Sequence, residues 1–227
     1  MGRLPEKESL VDIFRWRVKE SSESIVSKYK DRLLTYKEYD SNANKVAQGI
    51  INEGCKPNGR VAFLAKNSDQ FFEFLYGTMK SRTVAVGINW RLAPPEVSYV
   101  INDSKSEILF VGKEFYPIIR EIINEIPTIK KIISMDGESE WEHYIFWRDK
   151  FEAIDPFLES NIEDDVIQLY TSGTTGYPKG VQLTNKNFIK SNLMVEKTWG
   201  KDWHEGSANI ICSPVFHVAG ANMGAVS

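Results

Sequence analysis

The chain has 227 residues, 42% of them hydrophobic, an ordinary composition for a globular protein with a buried core. Its 28 basic and 31 acidic residues leave a formal net charge of -3, which excludes a broad cationic surface for nucleic acid. Cys55 and Cys212 stand far apart, so neither a disulfide scaffold nor a cysteine zinc site can be built from them alone, and a reducing, cytoplasmic setting fits best.

The first twenty residues mix acids and bases among apolar residues and lack the apolar run of a signal peptide or membrane span, so they read as a folded segment or a tail. Thr35 opens a helix, with Glu38 in capping-box spacing and Tyr39, Ala43, Val46, Ala47 and Ile50 on one apolar face; Gly54 is placed to end it. Strands are expected at 60–65, 84–88, 108–111 and 131–134, apolar on both faces as buried parallel strands are. Helices near 68–80, 95–103 and 114–126 cover them, with Pro94 and Pro95 in a first turn. This alternation predicts an α/β fold of layered sheets and covering helices. The aromatic and charged stretch 137–156 is read as a further covering helix rather than an aromatic-lined surface. The acidic run 161–165 separates an expected N-terminal α/β subdomain, 1–165, from the start of a second, 166–227. In the second, strands are expected at 166–171, 180–184 and 210–213, with a helix over 185–199.

Between two of these strands lies TSGTTGYPKG, Thr171 to Gly180. Gly173, Gly176 and Gly180 let backbone N–H groups approach an anion, Thr171, Ser172, Thr174 and Thr175 can donate to phosphate oxygens, and Lys179 adds a full positive charge. A plain hairpin turn explains the glycines but not the lysine. A GxxxxGK[ST] loop would place Ser or Thr after the lysine, where Gly180 stands, and the GxGxxG dinucleotide fingerprint is absent. Neither HExxH nor a nucleophile elbow occurs, and the three scattered histidines, His143, His204 and His217, do not suggest a metal site.

TSGTTGYPKG resembles the phosphate-binding signature of the adenylate-forming, AMP-binding superfamily, and Asn89-Trp90-Arg91-Leu92 and Pro214–Gly220 (PVFHVAG) resemble two further segments of its acyl-CoA synthetase and acid–CoA ligase branch. The departures are Gln168, Asn185 and Ser81-Arg82-Thr83, which stand where an apolar residue, a histidine and a glycine-alanine turn are common. The resemblance implies a ligase that uses ATP, Mg2+ and coenzyme A to activate a carboxylic acid, a fatty acid foremost, and transfer it to a thiol. It implies that Thr171 to Thr175, Gly176, Lys179 and Gly180 bind the nucleotide, that Lys179 and Thr174 are catalytic, and that His217 lines the acid pocket, with no protein metal ligand in this stretch. The alternatives are an adenylation domain that loads a carrier protein and an inert, truncated binding module. The adenine, ribose and C-terminal catalytic motifs have no counterpart before Ser227, so the chain is expected to be the N-terminal part of such an enzyme and not competent alone. A transmembrane segment is not expected, and a homo-oligomer is left open.

Overall fold

The computed structural model describes residues 9–171, 177–200 and 207–225. In chain order it contains α1 (Leu10–Glu20), β1 (Ile25–Tyr29), β2 (Arg32–Thr35), α2 (Tyr36–Asn52), β3 (Arg60–Leu64), α3 (Asp69–Lys80), β4 (Val84–Gly87), α4 (Pro94–Ser104) and β5 (Ser106–Val111). There follow α5 (Tyr116–Ile122), flanked by short 3-10 turns, β6 (Lys131–Ser134), β7 (Glu142–His143), α6 (Tyr144–Arg148), β8 (Asp165–Thr171), β9 (Lys179–Thr184), α7 (Asn185–Trp199) and α8 (Val218–Ala225).

β1 and β2 pair as a hairpin, and the other seven strands form one sheet in the order β7-β6-β5-β3-β4-β8-β9. Neighbours run parallel except β8 and β9, which are antiparallel. Both faces are covered, which explains the uninterrupted apolar strands. Val61, Phe63, Ile108 and Phe110 point into a core shared with α1, α2, α3 and α6, while Ala62, Leu64, Leu109 and Val111 point into a second core under α4 and α5. The chain is thus a three-layer α/β unit, and β8 and β9 continue the sheet that begins with β3.

Local chemistry explains the element boundaries. Thr35 accepts from the Glu38 N–H while the Glu38 carboxylate accepts from the Thr35 N–H, so the predicted capping box is made, and all five residues of the predicted apolar face are buried. Pro94 and Pro95 occupy the first turn of α4, where a missing N–H costs nothing.

Two expectations fail. Within 137–156 only Tyr144–Arg148 is helical, because the chain beyond it is pegged by side chains of α2: Gln48 donates to the Ile154 carbonyl at 2.7 Å and Asn44 to that of Ala153 at 3.4 Å. Residues 210–213 form no strand. Ile210 is 82% exposed, and the segment is instead held by Asn67, whose amide donates to the Ser213 carbonyl at 2.8 Å and accepts from the Val215 N–H at 3.0 Å.

The three departures from the family pattern all make structural bonds. Arg82 takes a left-handed φ of 54°, which costs a side chain roughly 1 kcal/mol, and offsets it with two hydrogen bonds to Asp164 at 3.1 and 3.0 Å. Asn185, buried, accepts from the Leu10 N–H and donates to the Asn161 carbonyl, joining α1 to the start of α7. Gln168, also buried, bridges Arg60 on β3 and Tyr170 on β8.

Candidate functional site

Parallel α/β sheets bind ligands beyond the carboxyl ends of their strands, where connections leave the sheet. Here β3, β4 and β8 end side by side, with Phe63 opposite Gly87 and Gly87 opposite Leu169. From β8 the chain turns over and returns as β9, and Thr171 faces Lys179 across the start of that hairpin. Ser172, Gly173, Thr174, Thr175 and Gly176 lie outside the described residues. Lys179 is exposed and makes no ion pair with any other described residue. Gly180 is needed for close approach: a Cβ there would come within 2.5 Å of Gln168 Nε2 and 3.1 Å of Tyr170 Cζ.

From the end of β4 comes the Asn-x-Arg-Leu turn. Asn89 Oδ1 accepts from the Arg91 N–H at 3.0 Å and the Asn89 carbonyl from the Leu92 N–H at 3.1 Å, so the asparagine closes the turn and its role is local. The turn presents Trp90, whose ring lies 4.1 Å from the Arg91 guanidinium and 6.1 Å from the ring of Phe216. Beside it Lys66 is paired with Glu114 at 2.8 Å.

His217 reaches the same edge by an irregular path. The segment before it crosses directly over β4, and a Cβ on Gly87 would stand 3.0 Å from Phe216 Cα. His217 is exposed and leads into α8: its carbonyl accepts from Ala221 N–H, and its Nδ1 from Ala219 N–H at 3.2 Å. With Nδ1 engaged as an acceptor, Nε2 is the nitrogen left to meet a ligand. His143 instead caps α6 through Nδ1, and His204 lies outside the described residues.

The structure therefore brings Thr171, Lys179, Gly180 and the His217 segment to one edge of the sheet. Sequence reasoning missed Asn67, which anchors that segment, and Tyr99 on α4, whose hydroxyl donates to the Pro178 carbonyl at 3.2 Å. Both contacts join residues far apart in the chain, and no local pattern signals them. Among the described residues no group of three or more His, Cys, Asp or Glu side chains is placed to hold a metal ion.

A family model described as AMP-binding enzyme matches residues 14–226. The chain belongs to that family. A fatty acid–[acyl-carrier-protein] ligase of Streptomyces coeruleorubidus is 35% identical over 225 residues, covering 97% of this chain and 42% of that protein. A long-chain-fatty-acid–CoA ligase of Mycobacterium tuberculosis is 32% identical over 203 residues, covering 87% of this chain and 38% of that protein. Among solved structures, an anthranilate CoA ligase in complex with anthranoyl-AMP superposes with a TM-score of 0.87 at 25% identity, over 98% of this chain and 44% of that one. The chain thus spans less than half the length of these AMP-binding relatives and matches the N-terminal part of adenylate-forming acid ligases. No described helix is long and apolar enough to cross a membrane.

Proposed function

We propose that the intact protein activates a fatty acid with ATP, releasing pyrophosphate, and transfers the acyl group to coenzyme A in the cytoplasm. The observation that carries this reading is the exposed Lys179, without a described carboxylate partner, opposite Thr171 at the mouth of a glycine-rich hairpin on the ligand-binding edge of the sheet. A carboxylate and a triphosphate repel each other, and their reaction needs charge cancelled where it grows. Lys179, with the N–H groups and hydroxyls of 171–176, holds the β- and γ-phosphates and stabilises the departing pyrophosphate. That grip leaves the α-phosphate in line for the acid, which His217 Nε2 and the Trp90–Phe216 pair flank. Magnesium bound with the nucleotide would cancel part of the triphosphate charge that Lys179 faces.

Acid-dependent ATP–pyrophosphate exchange tests the reading in the intact enzyme. Lys179→Ala lowers the exchange rate by about 10²-fold or more, the usual loss for one such donor, with unfolding unchanged. Exchange at the normal rate would refute the assignment. The acyl-carrier-protein ligase at 35% identity supports a second acceptor. Thioester formation from the acyl-adenylate with coenzyme A but not with a carrier protein selects the first reading, and the reverse selects the second.

A further inference from the structure

Helix α4 touches both arms of the hairpin. Tyr99 and Asp103 are four residues apart and so share one face of the helix. Tyr99 takes the returning arm: its hydroxyl donates to the Pro178 carbonyl at 3.2 Å, and its ring centre is 5.3 Å from that of Tyr177. Asp103 takes the outgoing arm, its Oδ2 accepting from the Tyr170 hydroxyl at 2.6 Å. Tyr170 precedes Thr171, faces Gly180 across the β-ladder, and also accepts from Gln168 Nε2 at 2.9 Å. Burial, then the bond to Asp103, pushes the Tyr170 hydroxyl well above its ordinary pKa, so it remains a proton donor.

The packing of α4 does not need these contacts. The helix is fixed to the sheet by Val97, Val100 and Ile101, all fully buried, whereas Asp103 is exposed. The ladder joins the two arms to each other, and two bonds from one helix, one to each arm, fix where the paired arms stand against α4.

We propose that Tyr99, Asp103 and Tyr170 are positioning residues that clamp the arms of the hairpin and thereby fix where Lys179 stands against the phosphates of the nucleotide. The inference rests on the phosphate-binding reading of the hairpin given above. A displacement of about 1 Å in a positioned group can cost 10²-fold in rate, so a loosened clamp is visible in kinetics while the fold stays intact.

The test uses the intact enzyme and acid-dependent ATP–pyrophosphate exchange, with Tyr99→Phe and Asp103→Ala combined. The first removes the donor to the Pro178 carbonyl and the second the acceptor of the Tyr170 hydroxyl, and Asp103 is exposed, so its truncation leaves no cavity. The expected result is a loss of about tenfold in kcat with the KM for the acid unchanged, and no further loss when the pair is introduced into Lys179→Ala, because residues that act through one group are not additive. Asn102→Ala serves as a control on the same helix: it removes the 2.7 Å bond to the Glu125 carbonyl, which leads away from the hairpin, and leaves exchange intact. A normal kcat in the double variant, an equal proportional loss in the Lys179→Ala background, or the same loss in Asn102→Ala overturns the clamp. Normal exchange in Lys179→Ala alone instead overturns the phosphate-binding reading, and the clamp with it.

Discussion

Lys80 and Lys179 are both lysines at the end of a regular element, and they live in opposite surroundings. Lys80, at the end of α3, is 0% exposed and paired with both Asp155 and Asp40, the latter at 2.9 Å. Asp155 in turn accepts from Arg15 at 2.9 and 2.6 Å, which ties α1, α3 and the irregular segment after α6 into one knot. Close by, buried Glu73 receives Tyr144 at 2.6 Å, Arg148 at 3.0 Å and Asn42 at 2.9 Å. Lys179 has none of this company. An ammonium can enter a protein interior only with partners, so a paired lysine under the helices is structural. A solvated lysine without a partner among the described residues is free of such a structural task, which is why the proposed phosphate grip rests on Lys179. The two environments separate the charges that hold this fold from the charge proposed to act.

The comparison breaks first at Lys80. Lys80→Ala takes the buried cation from two partly buried carboxylates, Asp40 and Asp155, of which Asp155 keeps Arg15; losing one partner of a buried pair costs about 3–5 kcal/mol, and the lower end is expected here. Urea unfolding checks this, and a loss below about 1 kcal/mol, the value of a surface pair, would place Lys80 in the same class as an exposed lysine. Acid probes the same knot. Burial alone raises the Asp155 pKa, but the hydrogen bonds from Arg15 and Lys80 overcome it and hold the carboxyl at about 2, against an ordinary value of 3.8. The unfolded chain therefore takes up this proton first. The stability contributed by Asp155 is complete above the ordinary value and is lost as the pH falls through about 2. The gap in unfolding midpoint between the native protein and Asp155→Asn should narrow over that window. A constant gap from neutral pH down to the acid limit would mean that the carboxyl is not tuned by its partners.

Sequence reasoning reached these two lysines unequally. Lys179 stands inside a ten-residue motif whose glycines, hydroxyls and charge all speak for phosphate, so it is readable without a structure. Lys80 and Asp155 are 75 positions apart, and nothing local marks either as a partner of the other. The same divide runs through the fold. Strands β3 to β6 were legible because they are buried on both faces, and α2 because its cap and its period agree. The β1–β2 hairpin was not, since it turns through Lys30 at a φ of 53° without a glycine and exposes Ile25 and Leu33. At the site, the two strands flanking the glycine-rich motif were legible, while the contacts of Asn67, Tyr99 and Asp103 were not. Their contacts are made across the sheet edge, where only tertiary structure brings the partners together.

The smallest expected effect concerns the other half of the active edge, the path that carries His217. Phe216 and its neighbours lie on β4 at Gly87, where an added Cβ would meet Phe216 Cα and Leu169 Cδ2, each at 3.0 Å. The Phe216 backbone must move for Gly87→Ala, and because the Asn67 bonds hold Ser213 and Val215 in place, the shift passes forward to His217. Overpacking of this kind costs about 1–3 kcal/mol when the surroundings are rigid and less when a loop can give way. The segment is irregular and partly exposed, so the lower end is expected for stability, with the larger consequence in function. In the intact enzyme Gly87→Ala should raise the KM for the acid and leave that for ATP unchanged, because the hairpin is anchored separately through α4. An equal rise in both would show that the two halves of the edge move as one body, and the distinction between a phosphate half and an acid half would fall.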